Sequence, residues 1–598
     1  MFDGFQRSFK SYIRAEFVGE YSRLNVIAAA IGAGAAIIAI GFRWLILGFE
    51  NLFFVGGTPL DNGLGVWVFA APMIGAVFVG AIGYWLAPEV KGAGVADVMR
   101  AVMADKGRFR ARVPGLRALA SAITLGSGCS AGREGPIVQI GSSFASVIGQ
   151  KLKMTTTDMR IMVACGAAGG IAATFNTPIA GAVFALELLL LEFRTRSFVP
   201  LIIATVFATL VSRVFLGDYP TFSVELEYTL VSPYELAFYL LLGVLAGVVG
   251  VAFIKMLYKM EDTFDGLSIP GYAKPLIGAA FVGAIALFYP SVMGVGYDTV
   301  ALALNGDLDS LFEFGPTTLL LIVVVVLLLK LIATSLTISS GNSGGVFGPS
   351  LFLGAMLGAA FGMAAHQFFP GTTAEYGAYA VVGMAAVFAS TSRATLTAIL
   401  MLFEMTANYH IILPLMFSCV VADAVSSLLS KETIYTAKLA RMGIRYVHDL
   451  RSNILESARA SEAMETAYKS VSPDTPLREV VDLQLYGGRK GFPVVTADGK
   501  LKGVITLTDV RKAFEKGLRD SCVKDVMTKK VVTVYPDETL QVALEKMVLR
   551  KIGYLPVVDP AKPDRVVGML NREAIMDRYR GVLIDEVSEE SLEGRLME

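Results

Sequence analysis

Long apolar runs separated by short polar stretches occupy the first three quarters of the chain. Several runs are shorter than the roughly 20 residues that an α-helix needs to cross a bilayer. Short apolar segments are tolerated at membrane depth only where they are buried in protein or line a wet cavity. The pattern predicts an all-α polytopic membrane domain with many tilted and broken helices. The runs lie at 24–55, 64–86, 116–125, 161–173, 179–191, 198–215, 236–258, 275–288, 317–334, 350–365, 378–388 and, with breaks, 394–429.

After about Arg451 the pattern changes to a mixture of helical and β-branched stretches. Two similar headers, at 473–477 and 536–540, open units of roughly sixty residues, which indicates one supersecondary unit copied once. The sequence therefore predicts an α+β tail built from a tandem repeat. Helices are predicted at 460–468 and 540–550, and strands at 492–495, 501–505, 554–558 and 566–570.

Composition supports the division into a membrane domain and a soluble tail. The chain has 598 residues, of which 54% are hydrophobic and 17% are charged, and its mean hydropathy is +0.59. From Arg451 onward, 148 positions hold 48 of the 104 charged residues. The formal net charge of +0 at pH 7 argues against a nucleic-acid partner. The predicted domains are 1–450, with repeat halves at about 20–216 and 233–436, and 451–598, with repeats at about 455–517 and 522–580.

The N-terminal segment carries four cations before the first apolar run and shows no cleavable signal peptide. By the positive-inside rule this charge places the N-terminus in the cytoplasm. We expect an integral protein of a prokaryotic inner membrane, surrounded by lipid, with the tail also in the cytoplasm. The cations are Arg7, Lys10, Arg14 and Arg23.

A carboxylate at the start of an apolar helix is the main candidate for functional chemistry. Residues 132–136 read GREGP and place Glu134 at a predicted helix N-terminus. Unpaired N–H groups and the helix dipole attract anions there, so Glu134 would occupy a site that a permeating anion also needs. A second glycine-rich break, at 344–349, lies in the other half of the apolar region. Paired interruptions in two halves indicate a transporter's binding site, here for an anion.

Four motifs, in matching order and spacing, make the chain resemble the CLC family of chloride channels and chloride/proton exchangers. G-[KR]-E-G-P matches 132–136, N-x-P-[IL]-[AS]-G matches 176–181, G-x-F-x-P matches 345–349, and E-M-T-x-N-Y matches 404–409. The tail resembles a tandem CBS pair. The resemblance implies an inverted-repeat membrane domain and a homodimer in which each subunit has its own anion pathway.

The same resemblance assigns roles to particular residues. Glu134 is implied to be the gating carboxylate, which takes up a proton and then leaves the anion path. The backbone amides of Val346 and Phe347 and the hydroxyl of Tyr435 are implied to face the anion. Arg133 and Gly135 are expected among the anion-binding residues, with a helix-packing or interfacial role as the equal alternative for Arg133. We expect helix N-termini and backbone amides to bind the anion without any full positive charge.

The first anion loop of the family, G-S-G-x-P, aligns here with Gly92, Ala93 and Gly94 at its start. Alanine replaces the central serine, which removes one hydroxyl donor from the predicted anion site. Since a neutral hydrogen bond contributes about 0.5–1.5 kcal/mol net, we expect modestly weaker anion binding and altered discrimination among anions.

A second departure concerns the inner proton station, a glutamate that exchangers of the family commonly carry. That position is Leu188, and the preceding Glu187 is expected to be a buried helix-packing residue. Because an aliphatic side chain cannot carry a proton, the sequence favours channel-like conduction that is not coupled to protons. A chloride/proton antiporter with a non-standard inner route is the alternative.

The tail has one stretch that resembles a nucleotide-binding element of CBS domains. There, Thr506 and Asp509 are implied to contact an adenosine ribose, whereas the second repeat has Ala574 in place of the aspartate. An adenine nucleotide is one expected ligand, and a purely dimerising or docking module is the equal alternative. No cofactor is expected to be required. The sequence has no nucleophile–base pair, metal-ligand cluster or phosphate loop, so we expect no enzyme.

Overall fold

The computed structural model describes residues 2–54, 65–191, 194–222, 230–310, 316–444, 455, 458–487 and 491–579. It divides into two compact units, Met1–Tyr446 and Val447–Glu598. Four predicted boundaries lie outside the described residues. They are the apolar-run boundaries at Val55 and Leu64, the start of the tail at Arg451 and the end of the second repeat at Arg580.

The first unit is helical, as its apolar runs predict. Its helices, numbered along the chain, are α1 (Phe2–Phe54), α2 (Trp67–Ala81), α3 (Val95–Met103), α4 (Val113–Gly126), α5 (Glu134–Lys151), α6 (Thr156–Phe175), α7 (Pro178–Phe184), α8 (Thr195–Leu216), α9 (Glu235–Asp265), α10 (Lys274–Ala286), α11 (Tyr297–Leu304), α12 (Pro316–Ser339), α13 (Phe347–Phe368), α14 (Tyr376–Ser392), α15 (Thr395–Thr406), α16 (Ile412–Leu429) and α17 (Thr436–Arg441). Two π-helical turns, Ile82–Leu86 and Ala185–Leu190, extend α2 and α7.

Long and short apolar helices are mixed in this unit. Within the described ranges, seven helices are long and apolar enough to span a membrane, and five more are apolar but only 10–17 residues long. The prediction of a polytopic all-α domain with short helices is confirmed. The seven spans are Arg23–Phe54, Trp67–Leu86, Thr195–Leu216, Glu235–Asp265, Thr318–Ser339, Phe347–Phe368 and Ile412–Leu429.

Three short helices, α3, α11 and α17, were not predicted by the apolar runs. α3 and α11 contain nine and eight residues, too few for a clear run. Each begins directly after a glycine with a positive φ, Gly94 at 85° and Gly296 at 81°, a backbone conformation that glycine adopts without steric cost. These two turns lead into α3 and α11, which belong to opposite halves of the membrane unit.

The helices that begin at the two glycine-rich breaks are each packed at backbone contact against the helix that follows. A Cβ on Gly141 of α5 would lie 2.2 Å from the Gly166 carbonyl oxygen of α6. A Cβ on Gly354 of α13 would lie 2.3 Å from the Gly383 carbonyl oxygen of α14. Small residues permit this close approach in membranes, and it packs α5 against α6 and α13 against α14.

The second unit contains two copies of one antiparallel hairpin. In the first, β1 (Gly491–Val495) pairs with β2 (Leu501–Thr506), and in the second, β3 (Tyr554–Asp559) pairs with β4 (Lys562–Asn571). A further residue bridges each hairpin in parallel, Val471 to Val494 and Val534 to Val557. The helices of this unit are α18 (Ala460–Ala463), α19 (Leu477–Gly487), α20 (Leu507–Glu515), α21 (Val523–Val526) and α22 (Leu540–Arg550). The predicted α+β tandem module is confirmed.

The helix predicted at 460–468 is wrong beyond Ala463. Met464 is extended, with φ −72° and ψ 143°. The Glu465 amide then donates to the Met569 carbonyl at 2.8 Å, and the Met569 amide donates back at 3.0 Å. Pairing with β4 therefore replaces the last helical turns, a tertiary effect that local sequence does not encode.

Candidate anion site

Three glycine-rich loops from the two halves meet at the centre of the membrane unit. The amides and carbonyls of Gly132 and Gly345 exchange two hydrogen bonds of 2.7 Å each. The Gly92 amide donates to the Asn342 carbonyl at 3.2 Å. The loops before α3, α5 and α13 are thus joined by their backbones, which brings the predicted anion-loop residues together.

Glu134 is the first residue of α5, and its side chain lies at this junction. The residue is 1% exposed. The Tyr297 hydroxyl donates to its Oε1 at 2.6 Å, and the Gly348 amide donates to its Oε2 at 3.0 Å. Arg133 Nε lies 3.9 Å from Oε1. The carboxylate therefore occupies the N-terminus of α13, where an anion is favoured.

Two glycines leave the space that the carboxylate fills. A Cβ on Gly132 would lie 2.4 Å from Glu134 Oε2, and a Cβ on Gly348 would lie 2.8 Å from the same atom. Neither distance is compatible with an ordinary van der Waals contact. The glycines of the two motifs are therefore required for the position of Glu134 that the structure shows.

Val346 and Phe347 stand at the start of α13, as predicted, and both are buried. The Phe347 ring packs between Phe175, at 5.8 Å between centroids, and Phe388, at 4.3 Å. The amide that contacts the Glu134 carboxylate belongs to the next residue, Gly348. Sequence reasoning missed this donor, although the first N–H groups of any helix lack intrahelical partners.

A cavity, here called the Tyr435 cavity, adjoins the first anion loop. Tyr435 is buried at the start of α17 and lines the cavity together with Gly92, Ala93 and Gly94. Ala93 also touches the gate region, because a Cβ on Gly135 would lie 2.1 Å from the Ala93 carbonyl oxygen. The charged residues that line the cavity are Glu89, Lys91, Asp97, Glu261 and Lys438.

A second cavity, here called the Arg133 cavity, is lined by residues that contact Glu134 directly. Arg133 and Tyr297 belong to its wall, and the Arg133 guanidinium lies 5.3 Å from the Tyr297 ring centroid. Its other charged lining residues are Arg43, Glu50 and Asp298. Neighbours of the Glu134–Gly135 segment therefore line both cavities.

Leu188 lies in the π-helical turn after α7 and is 4% exposed. The adjacent Glu187 accepts from the amides of Leu396 and Thr397, at 3.2 and 2.8 Å, and from the Thr397 hydroxyl at 2.6 Å. Glu187 therefore caps the N-terminus of α15, which is a helix-packing role as expected, but the residue is half-buried and not buried.

Glu404, which lies in α15, makes the equivalent cap on the N-terminus of α7. At the end of α15, its two carboxylate oxygens accept from the amides of Ile179 and Ala180 at the start of α7, at 3.0 and 2.8 Å. The two short helices thus cap each other. This contact gives a physical reason for the N-x-P and E-M-T motifs.

Two buried cations near the site were missed by the sequence analysis. Arg117 donates to the carbonyls of Val90, Gly92 and Gly344, at 2.5, 2.7 and 3.1 Å, and so joins two of the three loops. Lys330, in the middle of α12, is also fully buried, and its Nζ donates to the carbonyls of Val292 and Gly294, both at 2.9 Å. Both cations bond to backbone carbonyls near the loops, and the expectation of anion binding without a full positive charge stays a prediction. A charged residue inside an apolar run was the available signal, because such residues are usually functional.

In the tail, Thr506 and Asp509 lie together at the start of α20. Asp509 Oδ2 accepts from the Thr506 amide at 2.9 Å and from its hydroxyl at 2.6 Å, which forms a capping box. In the second repeat, Asn571 Oδ1 accepts from the Ala574 amide at 2.7 Å. Nucleotide binding at Thr506 and Asp509 stays a prediction.

Comparison with known proteins agrees with both units. The model for the voltage-gated chloride channel family matches residues 74–427, and the CBS domain model matches 460–516 and 523–581. The chain is 32% identical over 546 residues to chloride channel protein CLC-f of Arabidopsis thaliana, which covers 79% of this chain and 69% of that protein. It is 31% identical over 429 residues to the H(+)/Cl(-) exchange transporter ClcA of Yersinia pseudotuberculosis. That match covers 70% of this chain and 87% of ClcA. The solved structure of a slow cyanobacterial Cl-/H+ antiporter matches with a TM-score of 0.63 and 27% sequence identity. The match covers 70% of this chain and 98% of the antiporter chain.

Proposed function

The chain belongs to the voltage-gated chloride channel family, whose members transport anions across membranes, and we propose that Glu134 gates its chloride pathway. The observation that carries the proposal is the position of the Glu134 carboxylate on the Gly348 amide at the start of α13. An ionised carboxylate there competes with chloride for the same N–H donors.

Protonation provides the opening step. A neutral carboxyl group loses most of its attraction to the helix N-terminus and to Arg133, so it no longer competes with a chloride ion for that place. Chloride entering from either cavity then binds the amides that Glu134 leaves. We expect acid to stimulate flux, and we expect Glu134→Gln, which mimics the protonated group, to conduct without acid stimulation.

We infer further that conduction is not coupled to protons, because Leu188 stands at the expected inner proton station and is buried among apolar side chains. The test uses liposomes containing the purified protein, an imposed chloride gradient and a record of external pH. Chloride flux without proton movement supports uncoupled conduction, and uphill proton movement driven by chloride overturns it.

Chloride/proton exchange is the second candidate, favoured by two observations. ClcA and the cyanobacterial protein are named as exchangers, and the Tyr435 cavity is lined by a half-buried carboxylate, Asp97, in the first turn of α3. Asp97 is the group that would replace Leu188 as the inner proton acceptor. If exchange is measured, Asp97→Asn should abolish proton movement while chloride flux continues, and Glu89→Gln in the same cavity wall is the matched control.

We also propose how the chain assembles, how it lies in the membrane and what its tail binds. The chain forms a homodimer with one chloride pathway in each subunit, and both the N-terminus and the tail face the cytoplasm of a prokaryotic inner membrane. An adenine nucleotide binds the tail at Thr506 and Asp509. Cross-linking in membranes tests the dimer, protease access to the tail in oriented vesicles tests the topology, and loss of nucleotide binding in the full-length Asp509→Ala variant tests the site.

A further inference from the structure

Lys330 is a buried cation whose hydrogen bonds go to backbone carbonyls. It is fully buried within α12. Its Nζ donates to the carbonyls of Val292 and Gly294, both at 2.9 Å, and lies 4.8 Å from the centroid of the Phe352 ring. In the part of the chain that the structure describes, no carboxylate forms an ion pair with it. Burying an ammonium group without a paired carboxylate costs folding free energy. A buried lysine of this kind is therefore a candidate for a functional role.

The carbonyls that Lys330 holds belong to the loop that leads into α11. The Gly294 carbonyl also accepts from the Ala131 amide at 3.2 Å, one residue before the GREGP segment. Two residues after Gly294, Gly296 begins the turn into α11, whose first residue is Tyr297. Lys330 therefore fixes the segment that presents the Tyr297 hydroxyl to Glu134.

Lys330 also acts on Glu134 through its charge. A Cβ on Gly296, the residue before Tyr297, would lie 3.3 Å from Lys330 Nζ, and inside a protein a charge this close to the junction is screened far less than in water. Positive charge near the junction favours an ionised Glu134 and, equally, a bound chloride ion. Among the described residues, the other titratable or charged groups in contact with Glu134 are Arg133 and Tyr297, with Arg43, Glu50 and Asp298 in the adjoining Arg133 cavity.

We propose that Lys330 is a positioning residue of the gate, which holds Tyr297 against Glu134 and supplies positive potential to the anion site. The inference rests on the proposed gating role of Glu134 and adds a residue outside the pathway wall. It makes two separable predictions, one for the pH response and one for chloride affinity.

The first experiment compares Lys330→Met with Lys330→Arg in chloride efflux from liposomes over a range of pH. Without the positive charge, Glu134 is protonated at lower proton concentration, so the pH of half-maximal stimulation should rise by about one unit, a tenfold change in proton affinity. Lys330→Arg keeps the charge and should stay near wild type. Ser335→Ala is the matched control, because Ser335 is buried in the same helix and donates to the Leu331 carbonyl at 2.8 Å.

The second experiment measures chloride binding by calorimetry in the Glu134→Gln background, where the gate cannot respond to pH. Adding Lys330→Met should weaken chloride binding about tenfold, and adding Lys330→Arg should not. If Lys330→Met does not fold, as judged by gel filtration, Lys330→Gln takes its place in both experiments. A folded neutral variant with the wild-type pH profile and unchanged chloride affinity overturns the inference.

These experiments distinguish failure of the proposed Glu134 gate from failure of the proposed role of Lys330. If Glu134→Gln alone retains acid stimulation, the proposed gate is wrong. If Glu134→Gln loses acid stimulation and the neutral Lys330 variants behave as wild type, only the role of Lys330 is wrong.

Discussion

The Tyr297 hydroxyl and the Glu134 carboxylate, 163 positions apart in the chain, form a 2.6 Å hydrogen bond at the junction of the two halves. Tyr297 is the first residue of α11 and Glu134 the first residue of α5. On the other side of the carboxylate, the Gly348 amide completes its coordination. Three helix starts therefore converge on one charged group, which is the arrangement expected of a gate that occupies an anion site.

Tyr297→Phe should make the gate open at lower proton concentration. The substitution removes a hydrogen bond to a charged group, which contributes about 1.5–3 kcal/mol, from the ionised form of Glu134. The pH of half-maximal flux should therefore rise by roughly 1–2 units. Chloride efflux from liposomes at stepped pH measures it, and an unchanged profile would show that the hydroxyl does not hold the carboxylate.

Gly132→Ala should displace the gate by steric contact. The new Cβ would lie 2.4 Å from Glu134 Oε2, so the carboxylate must leave its position or the loop must move. We expect increased flux at neutral pH and a weaker response to acid. Gly41→Ala is the control, because a Cβ there meets nothing within 4 Å. Equal behaviour of the two variants would contradict the role of Gly132.

Ala93→Ser should strengthen chloride binding. It places a hydroxyl donor in the wall of the Tyr435 cavity, next to the loop that carries Glu134. At about 0.5–1.5 kcal/mol for a neutral hydrogen bond, affinity should rise roughly 2- to 12-fold. Calorimetric titration with chloride measures the change. Ala96→Ser, in the same cavity wall, controls for added polarity, and no gain specific to Ala93→Ser would refute the assignment.

Glu187→Gln should lower stability and leave the pH response of flux intact. Glu187 caps the start of α15, and loss of a good helix cap costs about 0.5–2 kcal/mol. Glu404→Gln, which weakens the equivalent cap on α7, should behave in the same way. Thermal unfolding in detergent and efflux at several pH values are compared. A changed pH profile in Glu187→Gln alone would make Glu187 a transport group.

How far the sequence predicts the site depends on how local each signal is. Glu134 and the start of α13 are predictable because glycine and proline mark helix starts within a few residues. Gly348 as the donor to Glu134, and Tyr297 as its partner, depend on the meeting of distant loops, which no local pattern encodes. α3 and α11 are too short to form apolar runs, and their glycine turns are recognisable only once φ is known.

Arg117 and Lys330 were missed for a different reason. Both lie inside apolar segments. A count of hydrophobic positions identifies such a segment as apolar even when it contains a single cation. Their partners are backbone carbonyls, which have no sequence signature. In the tail, the repeated hairpins follow from alternating β-branched runs, whereas the early end of α18 follows from pairing between Glu465 and Met569.

The most direct test of the account is chloride efflux from liposomes containing wild type or Glu134→Gln, measured across a range of pH. The account predicts that acid stimulates the wild type, whereas Glu134→Gln conducts at a rate that does not depend on pH. Acid stimulation that persists undiminished in Glu134→Gln would contradict the claim that Glu134 is the gate.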